Sequence, residues 1–318
     1  MKYTTLKKSS IQISEIGFGT NAVGGHNNYA NVNEDIGKQT VREAIEQGII
    51  LLDTADAYGF GRSEELIGEV IQDCRNNLVL ATKGGIEKLD NGSIRFNNHP
   101  HYLRNAVEAS MKRLQTDYID IYYIHFIDER IPLSEAIGEL TRLREEGKIR
   151  AIGISNATVD QVKEANATNA ISVLQSPYHM LDRSAEQELL PYCLEHDISF
   201  IPYGPLAFGI LGGKYKPDMT LDDGDWRKDL ELFQPDVFTQ HLARVEKLKA
   251  IASEQQLTLP NLALAWLLHQ PGVDAVIPGG KRVEQIHDNA AASGIQLPAS
   301  TWNHIKLVLE GQRIITDI

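Results

Sequence analysis

Four residues of this 318-residue chain combine charge with proton chemistry: Asp53, Tyr58, Lys83 and His125. They stand in LLDTADAY, LATKG and YYIHF, each at or just beyond the end of an apolar run. A lysine ammonium beside a phenol favours the phenolate, so it is expected to lower the tyrosine pKa from about 10. A tyrosine tuned in that way donates and accepts a proton near neutral pH. An Asp53–Lys83 ion pair would satisfy two charges that are costly to bury alone. His125 would hydrogen-bond a substrate oxygen or share the proton. Taken singly, these residues read as a strand-end cap, a packing tyrosine, a surface lysine and a satisfied core histidine. Only a fold that gathers the four places makes them one site.

The alternation of the sequence describes such a fold. Short runs rich in isoleucine, leucine and valine lie at 14–19, 49–53, 77–83, 118–125, 149–155, 171–176, 198–203 and 273–278. They mostly do not alternate with polar residues, as in strands buried on both faces of a parallel sheet. Helix-like stretches follow at 33–47, 63–73, 102–114, 134–146, 158–165, 184–196, 240–254 and 283–292. Gly48 and Gly147 read as stops, and Ser134 as an N-cap. Strand–helix alternation repeated eight times predicts an α/β fold, a (β/α)8 TIM barrel forming a single domain over 1–318. The first 13 residues read as an N-terminal hairpin that plugs the barrel bottom. Segments 260–269 and 298–310 exceed the count and read as two extra helices. In such barrels chemistry sits at the C-terminal ends of the strands, where Asp53, Lys83 and His125 fall. The irregular segment 204–236 follows the seventh strand onto the same face, and long irregular loops are usually functional.

Composition narrows the classes. Lysine plus arginine is 31 against 43 acids, a formal charge of −12. That balance argues against a general nucleic-acid or anionic-membrane surface, while leaving room for a local basic pocket. No run approaches the ~20 apolar residues of a bilayer span, and the N-terminus lacks the apolar stretch of a signal peptide. Two cysteines, Cys74 and Cys193, fit a reducing, cytoplasmic setting rather than a disulfide framework. His99 and His101 have no acid or cysteine at ligand spacing, and the acids of LDDGD (221–225) lack the spacing of a calcium loop, so no metal site is expected.

Together the motifs resemble the aldo-keto reductase superfamily over essentially the whole chain. DTADAYGFGRSEELIG (53–68) and GKIRAIGISN (147–156) are similar to its two signatures. QSPYHMLDR supplies the glutamine and nearby tyrosine, Gln175 and Tyr178. PLAFGILGGKY (205–215) and IPGGKRVEQIHDN (277–289) resemble its cofactor loop and phosphate-binding segment. Within the family, GTNAVGGHNNY and IPGGKR are most similar to the bacterial branch associated with inositol operons, the IolS type. The resemblance implies a catalytic tetrad of Tyr58, Asp53, Lys83 and His125, with NADP(H) bound without a Rossmann unit. Ser155, Asn156 and Gln175 would hold the carboxamide, and Tyr203 would stack on the nicotinamide. Leu206, Gly209, Leu211 and Lys214 would close over the pyrophosphate, with Arg227 toward the adenosine. Gly279, Lys281, Arg282, Gln285 and Asn289 would hold the adenosine end, while Thr20 and Asp53 face the cofactor. Asn21, Phe60 and Phe126 would line a substrate pocket. The sequence departs from the family at Phe126 (tryptophan or arginine in many members), His179 (often asparagine) and Gly279–Gly280 (a lysine–serine pair elsewhere).

Lys281 and Arg282 are adjacent cations at a helix start in an acidic protein. A 2′-phosphate needs such charge and a ribose hydroxyl pair does not, which favours NADPH over NADH. The expected activity is NADPH-dependent, reversible reduction of small-molecule aldehydes and ketones to alcohols. One alternative is a nicotinamide-binding sensor or accessory subunit with slow turnover, and another is an unrelated barrel with metal-assisted chemistry. Oligomeric state, substrate and direction in the cell are left open by the sequence.

Overall fold

The computed structural model describes residues 1–29, 31–221, 223 and 225–311. Asp222 and Gly224 of the acidic run 221–225 lie outside the described residues. A hairpin of β1 (Tyr3–Thr5) and β2 (Gln12–Ser14) precedes β3 (Phe18–Gly19), α1 (Glu34–Glu46), β4 (Leu51–Asp53), α2 (Arg62–Ile71) and β5 (Val79–Gly84). A second hairpin, β6 (Ile86–Lys88) and β7 (Ile94–Phe96), leads to α3 (Pro100–Leu114), β8 (Ile119–Ile124), α4 (Leu133–Glu145) and β9 (Ile149–Ser155). Then come α5 (Val159–Ala165), β10 (Ile171–Gln175), α6 (Leu189–Glu195), β11 (Ser199–Phe200), α7 (Pro235–Glu254), α8 (Leu259–Leu268), α9 (Val283–Ala290) and α10 (Ala299–Leu309).

Seven strands pair in parallel in the order β3-β4-β5-β8-β9-β10-β11. The eighth place belongs to the expected run at 273–278, which pairs through single bridges only. Phe200 bridges Val273 on one side, and Ile16 with Val276 and Gly19 with Gly279 bridge on the other, so the sheet curls shut. Pro278 has no N–H to give a ladder there.

The pleat sorts each strand into two cores. Leu51, Val79, Ala81, Ile121, Ala151 and Val173 point inward and pack with Leu6, Ile11 and Ile13 of the first hairpin. Their outward neighbours, among them Leu52, Leu80, Ile124, Ile152 and Leu174, pack under the helices. Burial on both faces is why these strands read as unbroken apolar runs. The hairpin sits at the strand starts, as the bottom plug was expected to. Ser14 Oγ accepts from the Ile50 and Leu51 N–H groups, and Lys7 N–H donates to Ser199 Oγ.

Local signals set the helices. Asn33 caps α1 through the Ile36 N–H, and Thr158 and Gln161 form a capping box on α5. Gly147, at φ +77, ends α4 as expected. Ser134 is not the cap of α4: Pro132 takes that place and Ser134 lies one position inside the helix. The extra helices also differ from expectation. The segment 260–269 was read as supernumerary, yet α8 is buried along nearly its whole length. It stands between α7 and α9; α9 packs on α1, and α7 packs also on α10. LPNLALAWLL is apolar all round, the mark of a helix covered on every side.

Candidate active site

The strand ends bring the four proton-active residues together. Asp53 ends β4, Lys83 lies near the end of β5, His125 follows β8 and Tyr58 sits in the turn after β4. Lys83 is 1% exposed and Asp53 3%. Lys83 Nζ donates to Asp53 Oδ1 at 2.5 Å and to the Thr54 carbonyl at 2.8 Å, while Gln175 Nε2 donates to Asp53 Oδ2 at 2.8 Å. Nζ lies 5.3 Å from the centre of the Tyr58 ring. The Tyr58 and His125 rings meet edge to face at 6.1 Å.

The turn that presents Tyr58 is left-handed at Gly59, Phe60 and Gly61. Gly59 is required: a Cβ there would lie 2.0 Å from the Gly24 carbonyl oxygen. Asn27 clamps both sides of Tyr58, donating to the Ala57 carbonyl at 3.0 Å and accepting the Gly59 N–H at 2.6 Å. The sequence reading missed Asn27, whose only signal was a side chain suited to loop hydrogen bonds.

The acid–base balance corrects one expectation. Lys83 was expected to lower the Tyr58 pKa. Burial is the larger influence and lifts the phenol above 10, with the Lys83 charge only partly opposing it. Asp53 already neutralises much of that charge. Burial also works against the Lys83 ammonium, but Asp53 and Tyr58 together hold its pKa above the ordinary lysine value. Burial, then the Lys83 charge, pushes His125 well below 6.5, so the imidazole is neutral. Its Nδ1 is buried without a partner among the described residues. At neutral pH the cluster therefore holds a protonated phenol, a charged lysine and a neutral histidine.

The expected cofactor residues divide. Ser155, Asn156, Gln175 and Tyr203 gather on the same rim. Asn156 Nδ2 donates to the His125 carbonyl at 3.0 Å, and the Tyr203 hydroxyl donates to Asn156 Oδ1 at 2.8 Å. Asn21 lies at the seam beside Gly279. Further along, the Arg227 guanidinium holds Asp225 at 2.5 and 2.9 Å and donates to the Tyr215 hydroxyl at 2.7 Å. Lys281 lies with its ammonium 3.7 Å over the Tyr29 ring. Burial and the Arg227 charge hold Lys281 below the ordinary lysine pKa. Two cations that repel each other beside the start of α9 suit a phosphate. Gln285 and Asn289 brace the segment, accepting the Lys281 N–H at 2.8 Å and donating to the Gly279 carbonyl at 3.1 Å. Arg282 precedes α9 and is exposed, as is Lys214.

Two of the residues expected at the cofactor are packed into the protein. Thr20 is fully buried, its hydroxyl donating to the Asp53 carbonyl at 2.8 Å beside Ser63, so it braces the end of β4. Leu211 is also fully buried and belongs to the core under the helices, where Leu206 packs partly too. Gly209 turns the loop at φ +105.

Residues 15–310 match the Aldo/keto reductase family. The chain belongs to that family. It is 36% identical over 313 residues to aldo-keto reductase YhdN of Bacillus subtilis (98% of this chain, 94% of the relative). It is 33% identical to aldo-keto reductase yakc [NADP(+)] of Schizosaccharomyces pombe (99% and 94%). It is 34% identical to the NADH-specific methylglyoxal reductase of Escherichia coli (93% and 95%). Among solved structures, the glycerol dehydrogenase AKR11B4 of Gluconobacter oxydans superposes with a TM-score of 0.90 at 28% identity, covering 99% of this chain and 98% of that one. The family is one of oxidoreductases that reduce carbonyls, and its barrel is the fold described above.

Aromatic rings flank the His125 end of the cluster. Phe126 lies 5.0 Å from the His125 ring, Phe60 is exposed in the turn after Tyr58, and a third ring, Phe96 of the second hairpin, stacks on Phe126. The sequence reading did not find Phe96. Among the described residues no group of three or more His, Cys, Asp or Glu side chains is arranged to hold a metal ion. His99 instead caps α3, its Nδ1 accepting the His101 N–H. No helix among them is long and apolar enough to cross a membrane.

Proposed function

We propose that this chain catalyses reversible, NADPH-dependent reduction of aldehydes and ketones to alcohols, with Tyr58 as the proton donor. The observation that carries the reading is the convergence of Tyr58, Lys83, Asp53 and His125 at one rim of the barrel. Bound NADPH would supply the hydride. Tyr58, kept protonated by burial, donates its proton to the carbonyl oxygen. Lys83 offsets the negative charge left on the phenolate, and Asp53 keeps Lys83 charged. Neutral His125 orients the carbonyl by a hydrogen bond. In the reverse direction the Tyr58 phenolate accepts the proton.

The rim residues fit the cofactor in kind. Amides and hydroxyls of Ser155, Asn156 and Gln175 suit a carboxamide, Tyr203 offers a ring face, and Lys281, Arg282 and Arg227 suit phosphates. The relatives divide over the nucleotide, one named for NADP(+) and another as NADH-specific. The Lys281–Arg282 pair favours NADPH here. Placement in the inositol-operon branch rests on GTNAVGGHNNY and IPGGKR alone.

The test is a fluorescence titration with NADPH and then NADH, followed by turnover of a carbonyl panel by wild type and Tyr58→Phe. We expect micromolar NADPH affinity, much weaker NADH affinity, and a loss of about 10²–10⁴-fold in the variant with NADPH affinity kept. Absence of binding to either nucleotide would sink the reading. Binding without turnover would leave a sensor or accessory subunit.

A further inference from the structure

The proton-active pair is the inner end of a row of rings. His125, edge to face with Tyr58, lies 5.0 Å from Phe126, and Phe126 stacks on Phe96 at 4.9 Å with planes 3° apart. The row runs from the reacting hydroxyl to solvent, for Phe96 is 40% exposed and Ile94 beside it in β7 is 54% exposed. Phe60, next in the chain but one to Tyr58, is 43% exposed, with the Lys88 ammonium of β6 4.1 Å over its ring. One hairpin thus touches the loops after both β4 and β8.

That hairpin is held in place. The Tyr102 hydroxyl donates to the Ile86 carbonyl at 2.9 Å and Arg130 Nη2 to the Phe96 carbonyl at 2.7 Å. Asn98 joins its far end to the β8 loop, donating to the Phe126 carbonyl at 3.1 Å and accepting the Asp128 N–H at 2.7 Å. Exposed rings fixed on a polar rim beside a reactive group form a binding wall, since their placement is settled before a ligand arrives. A flat apolar body would cover these rings and displace water from them. A small hydrophilic carbonyl would reach Tyr58 without touching Phe96.

We propose that the Phe126–Phe96 row determines substrate choice, and that the site takes aldehydes and ketones whose carbonyl is joined to a flat aromatic or conjugated body. The proposal rests on the carbonyl-reductase reading above. The test compares kcat/KM for 2-naphthaldehyde, propanal and methylglyoxal in wild type, Phe96→Ala, Phe96→Leu and Phe126→Ala, with the NADPH Kd measured for each as the check on folding. Wild type should prefer 2-naphthaldehyde. Phe96→Ala and Phe126→Ala should each lower its kcat/KM about two- to tenfold, the size of an aromatic pair. The loss should fall on KM, as for binding made equally in ground and transition states. Phe96→Leu should lose less, and in each variant propanal should lose less than 2-naphthaldehyde. A wild type that prefers methylglyoxal or propanal, or variants with unchanged naphthaldehyde kinetics, would overturn the inference and leave the reductase reading standing. NADPH binding with no carbonyl turned over would overturn both.

Discussion

Lys83→Met separates what the buried ion pair does for the fold from what it does for the reaction. In wild type the ammonium makes hydrogen bonds of 2.5 Å to Asp53 and 2.8 Å to the Thr54 carbonyl, and both charged side chains are shut from solvent. Once Lys83 is removed, Gln175 is the side chain still donating to the Asp53 carboxylate. Removing one partner of a buried pair costs about 3–5 kcal/mol, because the other charge stays buried without compensation. Asp53→Asn combined with Lys83→Met removes both charges, so its cost should fall well below the sum of the single costs. A coupling of about 1–3 kcal/mol is expected for groups in direct contact. The assay is urea unfolding of wild type, both single variants and the double, followed by tryptophan fluorescence, alongside reduction of one aldehyde. Lys83→Met should be the least stable, the double variant should recover stability, and all three should lose activity. Should Lys83→Met cost no more than a surface substitution, about 0.5 kcal/mol, the reasoning fails. Additive single costs would refute it equally.

The pH profile follows from the same burial. With the Tyr58 phenol above 10 and His125 well below 6.5, kcat for reduction should stay flat across neutral pH and fall only at strongly alkaline pH. A limb near 6.5 that vanishes in His125→Asn would contradict this. His179 is buried, and burial lowers its pKa to about 4. As pH falls the unfolded chain takes up this proton first, so stability present above 6.5 is lost between 6.5 and 4, by up to about 3 kcal/mol. His179→Asn, whose amide oxygen can still accept the Leu181 and Asp182 N–H groups, should show a shallower acid loss in pH-dependent unfolding. Lys281→Ala with Arg282→Ala should weaken NADPH about 10–100-fold, taking about 1.5–3 kcal/mol for hydrogen bonds to charged groups, and leave NADH nearly unchanged. Equal loss for both nucleotides would sink the phosphate assignment.

The barrel was legible because strands buried on both faces write unbroken apolar runs, and the tetrad because those runs end in Asp53, Lys83 and His125. The second hairpin was not legible as a run, since IEK and IRF are three residues each. Its signal was the Asn91–Gly92 turn between them, with Gly92 at φ +82. Position along the chain also says little about depth. Tyr58 and Lys83 were legible as neighbours, but the rise in the phenol pKa depends on how much water the fold removes. The burial of Leu211 was hidden for a related reason: in an irregular loop no period tells which side faces the core. For α8 the signal was present, since a helix apolar on every face belongs beneath its neighbours.

Core and site obey one parity rule. Residues 51, 81, 121, 173 and 201 fill the barrel interior with apolar side chains, and the inward positions two residues higher are Asp53, Lys83, Tyr123, Gln175 and Tyr203; in β9 Gly153 stands between Ala151 and Ser155. The site is thus the top layer of the core, changed from apolar to polar. The outward position next to Lys83 is Thr82, whose hydroxyl donates to the buried Glu64 at 2.6 Å. A slip of one residue in β5 would bring Thr82 to Asp53 and send Lys83 toward the helices. The apolar layers below prevent it, because the same slip would turn Val79 and Ala81 out of the interior. The packing that closes the barrel is therefore also what fixes the ammonium on Asp53 and near the Tyr58 ring.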